Sequence, residues 1–204
     1  MTLALDHLAV AAETLEAGRA AVAEALGVDL QPGGRHAHFG THNMVLGLED
    51  GLYLEVIAID PGAPAPEGPR WFDLDRFAGR PRPQAWICRT DDLDGLAGAR
   101  PDVGVPVALA RGDLRWRMTV PRSGVLPFDN LCPAVIEWQG DAHPASRLAR
   151  SGCRLTRLLV AHPEAAALRA WLAPHLRDAR VVFEAGAPAL RFEFASARGR
   201  QWLE

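Results

Sequence analysis

The stretch Leu3-Ala4-Leu5-Asp6-His7-Leu8-Ala9-Val10, taken together with Tyr53-Leu54-Glu55-Val56-Ile57-Ala58-Ile59, decides the fold of this chain. Both read as apolar strands, and each carries one side chain that an ordinary core strand disfavours. His7 sits in the first and Glu55 in the second. If the two strands lie side by side, an imidazole and a carboxylate share one face of a sheet, which is half of a metal site.

Between them, Thr14 is a plausible N-cap, and Leu15, Gly18, Val22 and Leu26 follow at helical spacing up to a stop at Gly27. Gly33-Gly34 opens a loop. His36 to Phe39 and Met44 to Leu48 read as short strands joined at Gly40-Thr41, and Glu49-Asp50-Gly51 is a turn. Residues 1–60 thus form a β-α-β-β-β module. Residues 61–82 form a linker: Pro61 to Pro69 holds four prolines and two glycines, and Trp71 to Phe77 suggests one helical turn. Residues 83–140 repeat the pattern with Pro83 to Cys88, a helical stretch from Asp91-Asp92-Leu93 to Gly98, Val103 to Ala110, the alternating Leu114 to Val120, and Ala134 to Trp138. Residues 141–204 read as a β-α-β-β extension on the same domain. It has a strand at Leu155 to Ala161, a helix opened by Pro163 and closed near Pro174, and a hairpin of Arg180 to Glu184 with Ala189 to Ala195. The class is α+β, with the β-α-β-β-β order appearing twice.

The bulk properties narrow the function. The chain has 204 residues, 49% hydrophobic and 23% charged, an ordinary globular balance. A formal net charge of −3 provides no basic field for nucleic acid. No apolar run reaches membrane-spanning length and no secretory signal is visible. Cys88, Cys132 and Cys153 are widely spaced and odd in number. That pattern favours reduced thiols in a cytoplasm over a disulfide framework. All 22 basic residues are arginine. A compositional bias of the gene accounts for this, yet it removes lysine Schiff-base chemistry. Nucleophile-elbow, dinucleotide and phosphate-loop motifs are missing.

The motifs Leu5-Asp6-His7-Leu8, Gly33-Gly34-Arg35-His36, Gly40-Thr41-His42-Asn43 and Tyr53-Leu54-Glu55 resemble those of the glyoxalase-like domain family. That family lies within the vicinal oxygen chelate (glyoxalase/bleomycin resistance/dioxygenase) superfamily. Asp92-Leu93, Ile136-Glu137-Trp138 and His143-Pro144-Ala145 extend the likeness more weakly. The resemblance implies that the paired modules form a cup-shaped mixed sheet, with a divalent metal (zinc, nickel, manganese or iron) held by the first and last strand of each module. It would polarise a small oxygen-rich substrate for lyase or isomerase chemistry. A metal-free relative would instead bind and sequester a small molecule in the same cavity. Carried over by position, His7, Glu55 and Glu137 are the metal ligands, with Glu137 serving as ligand or catalytic base. The position for the remaining ligand falls on Ala85. Gln84 reaches it only if the strand slips by one residue, and the lack of a histidine there disfavours an extradiol-type iron site.

His36, His38, Asn43, Arg117 and Trp138 are the expected substrate contacts. His36 and His38 also have a spacing that can bind zinc on one strand face, as a rival to a plain polar turn. Arg117 either lies on a solvated strand face or holds a substrate carboxylate. Trp116 and Trp138 read as core or cavity wall. The partner expected is a small molecule, with no nucleic acid and no membrane. Homodimerisation is an expectation from related folds.

Overall fold

The computed structural model describes residues 1–204. The first module runs β1 (Ala4–Ala11), α1 (Leu15–Leu26), β2 (Gln31–His36), β3 (Thr41–Gly47) and β4 (Tyr53–Ile59). The second runs β5 (Arg82–Arg89), α2 (Leu93–Ala99), β6 (Val105–Arg111), β7 (Leu114–Val120) and β8 (Ala134–Trp138). Their strands build one eight-stranded sheet in the order β2-β3-β4-β1-β5-β8-β7-β6. In each module the first strand is parallel to the last, and the two modules meet where β1 runs antiparallel to β5. The sheet is therefore a pseudo-twofold pair. It curls into a half-barrel, and the outermost strands β2 and β6 approach each other across its mouth.

The local reasons are those of the sequence. The Thr14 hydroxyl accepts the Ala17 N–H and caps α1, and Gly27 closes the helix at φ 73°. The buried stripe is Gly18, Val22 and Leu26. Gly18 lets the helix lie directly on Val56 of β4, where any Cβ would collide with the valine. Asp92 caps α2 through the Gly95 N–H at 3.0 Å. Helices α1 and α2 lie on the outer, convex face of the sheet. The strand expected at His36 to Phe39 is displaced. It runs from Gln31 to His36, with residues 37–40 in the turn, and Gly33-Gly34 lies inside it rather than in a loop. Side chains of Asn43 and Arg111 occupy the space that Cβ atoms at those glycines would need, and the β2–β3 register shifts between Pro32 and Arg35.

The C-terminal residues make a second sheet from β9 (Arg154–Ala161), β10 (Val181–Glu184), β11 (Ala189–Ser196) and β12 (Gly199–Leu203), with α3 (Ala165–Leu172). Its order is β10-β9-β11-β12. The hairpin expected between β10 and β11 does not form. β10 runs parallel to β9, and β11 pairs with β9 from the other side. β12, not foreseen from the sequence, makes the hairpin with β11 instead. This unit is thus no third copy of the module. It covers the seam between the modules, where the fully buried Trp86 donates its indole N–H to Leu131 C=O at 2.8 Å and meets Phe183 edge-on at 6.4 Å.

The seam predicts a graded loss. Trp86→Ala should cost about 3–5 kcal/mol in urea unfolding. Trp86→Phe should cost about 1–3 kcal/mol, because it keeps most of the packing and leaves the Leu131 carbonyl unpaired. Equal, small losses in both variants would show that the seam is not the centre of the core.

Candidate active site

The concave face of the sheet is where chemistry gathers. In β1, Leu5 pairs with Cys88 and His7 with Ile87, so Asp6 has no partner on β5. This is a β-bulge, and it breaks the alternation of side chains. Asp6 and His7 consequently come together, with Asp6 Oδ1 2.6 Å from His7 Nδ1. Asp6 is fully buried. Its other oxygen accepts the Trp138 indole N–H at 3.1 Å and the His143 Nε2–H at 3.0 Å, with Arg89 Nη1 3.6 Å away. His143 Nδ1 accepts the Ala145 N–H, so the proton of that ring is on Nε2, toward Asp6. Burial alone would raise the Asp6 carboxyl. The hydrogen bonds from His143 and His7 outweigh it and hold the group well below the usual carboxylate range.

An ionised Asp6 only accepts, so His7 Nδ1 carries a proton and Nε2 points onward. Glu55 Oε1 lies 3.7 Å from that Nε2. The strands explain the meeting: Glu55 is in register with Ala9 across the parallel β1–β4 ladder, and Ala9 shares a face with His7. Tyr53, one pair earlier on the same face, stacks flat on the His7 ring at 4.4 Å between centroids. Burial, then the charges of Asp6 and Glu55, push its phenol well above its ordinary value, so it stays neutral. Asn43 Nδ2 donates to Glu55 Oε2 at 2.7 Å, and Asn43 Oδ1 accepts the Gly34 N–H at 2.8 Å.

Across the mouth, Arg111 at the end of β6 reaches the first module. Its Nη1 lies 3.2 Å from Asn43 Oδ1 and 3.1 Å from His36 Nε2. A guanidinium can only donate, so His36 accepts at Nε2 and its Nδ1–H donates to Thr41 Oγ1 at 3.1 Å. Burial first, and then the Arg111 charge, pull the His36 pKa down to about 3. The hollow that these groups enclose has a free volume of about 30 Å³. Trp71, Phe72, Trp116, Met118 and Ile136 complete its wall. Trp71 and Phe72 belong to a strap in which Phe72 and Asp73 adopt left-handed backbone, at φ 57° and 58°. The carbonyl of Phe72 is fastened by Gln84 Nε2 at 2.8 Å and Asn130 Nδ2 at 3.3 Å.

Residues 5–176 match the model of the glyoxalase-like domain family. The chain belongs to that family. A hypothetical protein from Staphylococcus aureus shares the fold with a TM-score of 0.60 at 14% identity, over 91% of this chain and 87% of that one. Methylmalonyl-CoA epimerase from Mycobacterium tuberculosis superposes at TM-score 0.44 and 18% identity, over 68% of this chain and 88% of its own. A variant of the Streptomyces coelicolor methylmalonyl-CoA epimerase, in complex with 2-nitronate-propionyl-CoA, gives 0.45 and 14%, over 69% and 98%. At these identities the likeness is one of fold alone. No curated protein matches.

Within this glyoxalase-like cup, His7, Glu55, His36, Asn43 and Trp138 line the hollow. The other candidates lie elsewhere. Glu137 and Arg117 are cross-strand partners, one residue out of phase with Trp138 and Trp116, so both face the convex side. There Glu137 accepts two bonds from Arg117, at 2.6 and 2.9 Å, and the Leu93 N–H at the start of α2 at 3.3 Å, while Arg117 also holds Asp94. Glu137 thus faces the start of α2 and Arg117 rather than the hollow. Arg117 is tied up in that ion pair. His38 is exposed in the turn beyond β2, edge-on to Phe39, and shares no site with His36. Gln84 holds the strap.

The donor set therefore does not fit a divalent-metal centre. Ala85 stands as far ahead of α2 as His7 stands ahead of α1, and Ala134 pairs with Ile87 as Glu55 pairs with Ala9. Both second-module positions are alanine. No group of three or more His, Cys, Asp or Glu side chains is placed to hold an ion. Asp6, Tyr53, Trp71, Phe72 and Arg111 are site residues that the sequence does not single out. The adjacency of Asp6 to His7 is a signal, but strict alternation places it on the opposite face. Arg111 has none, because only closure of the barrel edges brings it in.

His36 makes stability acid-sensitive. In the unfolded chain it takes up a proton below about 6.5, whereas the folded protein resists until about 3. The unfolded state then binds more protons, so stability falls as pH drops through that interval. The melting temperature should decline from pH 7 to pH 4, and His36→Gln should flatten the decline. An equal decline in the variant would remove His36 as its source.

Proposed function

We propose that this glyoxalase-like protein is an enzyme that moves a proton on a small oxygen-rich molecule, in the lyase or isomerase class. The observation that carries the reading is one imidazole, His7, flanked by the carboxylates of Asp6 and Glu55 and turned toward an enclosed hollow. Asp6 fixes the tautomer and ring orientation, as an orienting carboxylate does for a histidine base. His7 Nε2 is then the atom that takes a proton from a carbon or hydroxyl of the bound molecule. The imidazolium so formed lies between two carboxylates, and both stabilise it. Glu55 is kept in place by Asn43 and can pass the same proton back on a neighbouring atom. The aromatic wall excludes water, which strengthens every charge interaction inside.

The two-donor set supports a proton transfer driven by these side chains, with no step through a metal. The outward placement of Glu137, against Arg117, supports this reading over a metal-dependent enzyme at His7, Glu55 and Glu137. A second reading, sequestration without turnover, is favoured by one feature. The second module has alanine, at Ala85 and Ala134, where the first has His7 and Glu55. The three cysteines are free and buried, which supports a reducing compartment such as the cytoplasm.

Two measurements test the reading. Protein purified without chelator should carry far less than one equivalent of zinc, nickel, manganese or iron. A full equivalent lost in His7→Ala would overturn the side-chain mechanism. In deuterated water, proton exchange into small carbonyl and hydroxy compounds should be catalysed, and His7→Gln should slow it about 10²- to 10⁴-fold. Compounds that bind and are recovered unexchanged would establish sequestration instead.

A further inference from the structure

We propose that Arg111 is the recognition residue of the cup, and that the molecule it recognises is a small monocarboxylate. The inference rests on the proton-transfer reading for its chemistry, but not for its binding. Arg111 lines the hollow, and its side chain bonds neutral groups rather than a carboxylate. Only its Nη1 is engaged, by two neutral acceptors, His36 Nε2 and Asn43 Oδ1. Nε and Nη2 donate to no protein atom, which leaves an edge of the guanidinium fork open. A planar cation with a free pair of N–H groups at a partly desolvated site matches the two oxygens of a carboxylate.

A second observation points the same way. The indole N–H of Trp71 is buried without any acceptor, and Trp71 lines the same hollow. A buried donor left unpaired costs free energy that a ligand oxygen recovers. The Trp71 ring packs edge-on to His36 at 5.0 Å between centroids and stacks with Phe39 and Phe72. None of them is hydrogen-bonded to it. The hollow is thus divided. Arg111 and Trp71 offer positive hydrogen-bond donors, and His7 and Glu55 offer bases.

One side chain, Asn43, spans the two halves, touching Glu55 at 2.7 Å and Arg111 at 3.2 Å. A carboxylate seated on Arg111 therefore presents the carbon next to it to His7 and Glu55. In glycolate and lactate that carbon bears the hydrogen that the proton-transfer reading removes, whereas in pyruvate the removable hydrogens lie one carbon further on. The neutral amide of Asn43 keeps the incoming anion from lying directly against Glu55. Trp71 forms part of the wall of the hollow, beside Arg111. Binding should therefore change tryptophan fluorescence.

The test is binding of acetate, glycolate, pyruvate and lactate to the whole protein, read by calorimetry and by tryptophan fluorescence. Glycolamide serves as the uncharged counterpart and sulfate as a general anion. At least one carboxylate should bind, and glycolamide and sulfate should not. Arg111→Gln, which keeps a donor toward His36 and Asn43 but removes the charge, should weaken that binding about 10- to 100-fold. Arg115→Gln, on the exposed side of β7, should leave it unchanged. His7→Gln should still bind while losing proton exchange. If carboxylates bind through Arg111 but no exchange occurs in any variant, the anion site stands and the enzyme reading falls. Absence of carboxylate binding, equal binding of glycolate and glycolamide, or unweakened binding in Arg111→Gln would each overturn the proposal. The comparison of acid with amide needs no variant, so it decides the matter even if Arg111→Gln fails to fold.

Discussion

Everything at the centre of this molecule depends on a buried carboxylate that is never without partners. Asp6 has no exposed surface, and an ionised carboxylate in that position is tolerable only when hydrogen-bond donors surround it. Three do: His7, Trp138 and His143, with the Arg89 guanidinium just beyond. They come from β1, from the last strand of the second module and from the loop after it. One side chain thus ties the two modules together at the place where the imidazole must be aimed. The bulge in β1 makes this geometry available, because a regular strand would send Asp6 and His7 to opposite faces.

The modules are alike in topology and unlike in chemistry. The first contributes His7, Asn43, Tyr53 and Glu55 to the cup; the corresponding second-module strands contribute Ala85, Met118 and Ala134, with Trp116, Ile136 and Trp138. A symmetric fold thereby carries a one-sided site, polar on one wall and aromatic on the other. The second module still intervenes at the far edge, where Arg111 crosses from β6 to His36 and Asn43. That contact stitches the half-barrel shut and holds His36 neutral.

The strap over the mouth is built from conformations that side-chain-bearing residues seldom adopt. Phe72 and Asp73, and then Phe128, Asp129 and Asn130, all have positive φ. Such backbone persists only when its surroundings over-determine it. Here the amides of Gln84 and Asn130 clamp the Phe72 carbonyl, and Asn130 also holds the Gln84 carbonyl at 3.0 Å. Gln84, which resembles a metal ligand one residue out of place, belongs to this clamp.

The sequence by itself determined the two β-α-β-β-β modules, the caps of α1, the family, and the meeting of His7 with Glu55. Those features are local periodicities, or follow from the way in-register residues of a parallel pair share a face. Glu137 shows the limit of that logic. Its strand is legible in the sequence, yet a shift of one residue, invisible to composition, turns it from the cup to the helix side. The bulge at Asp6 does the reverse and brings in a residue that alternation excludes. Arg111, the Trp71–Phe72 strap and the order of strands in the second sheet were decided only by tertiary structure. Each depends on which distant strand edges come together as the sheet curls and the second sheet docks, and no local pattern encodes that.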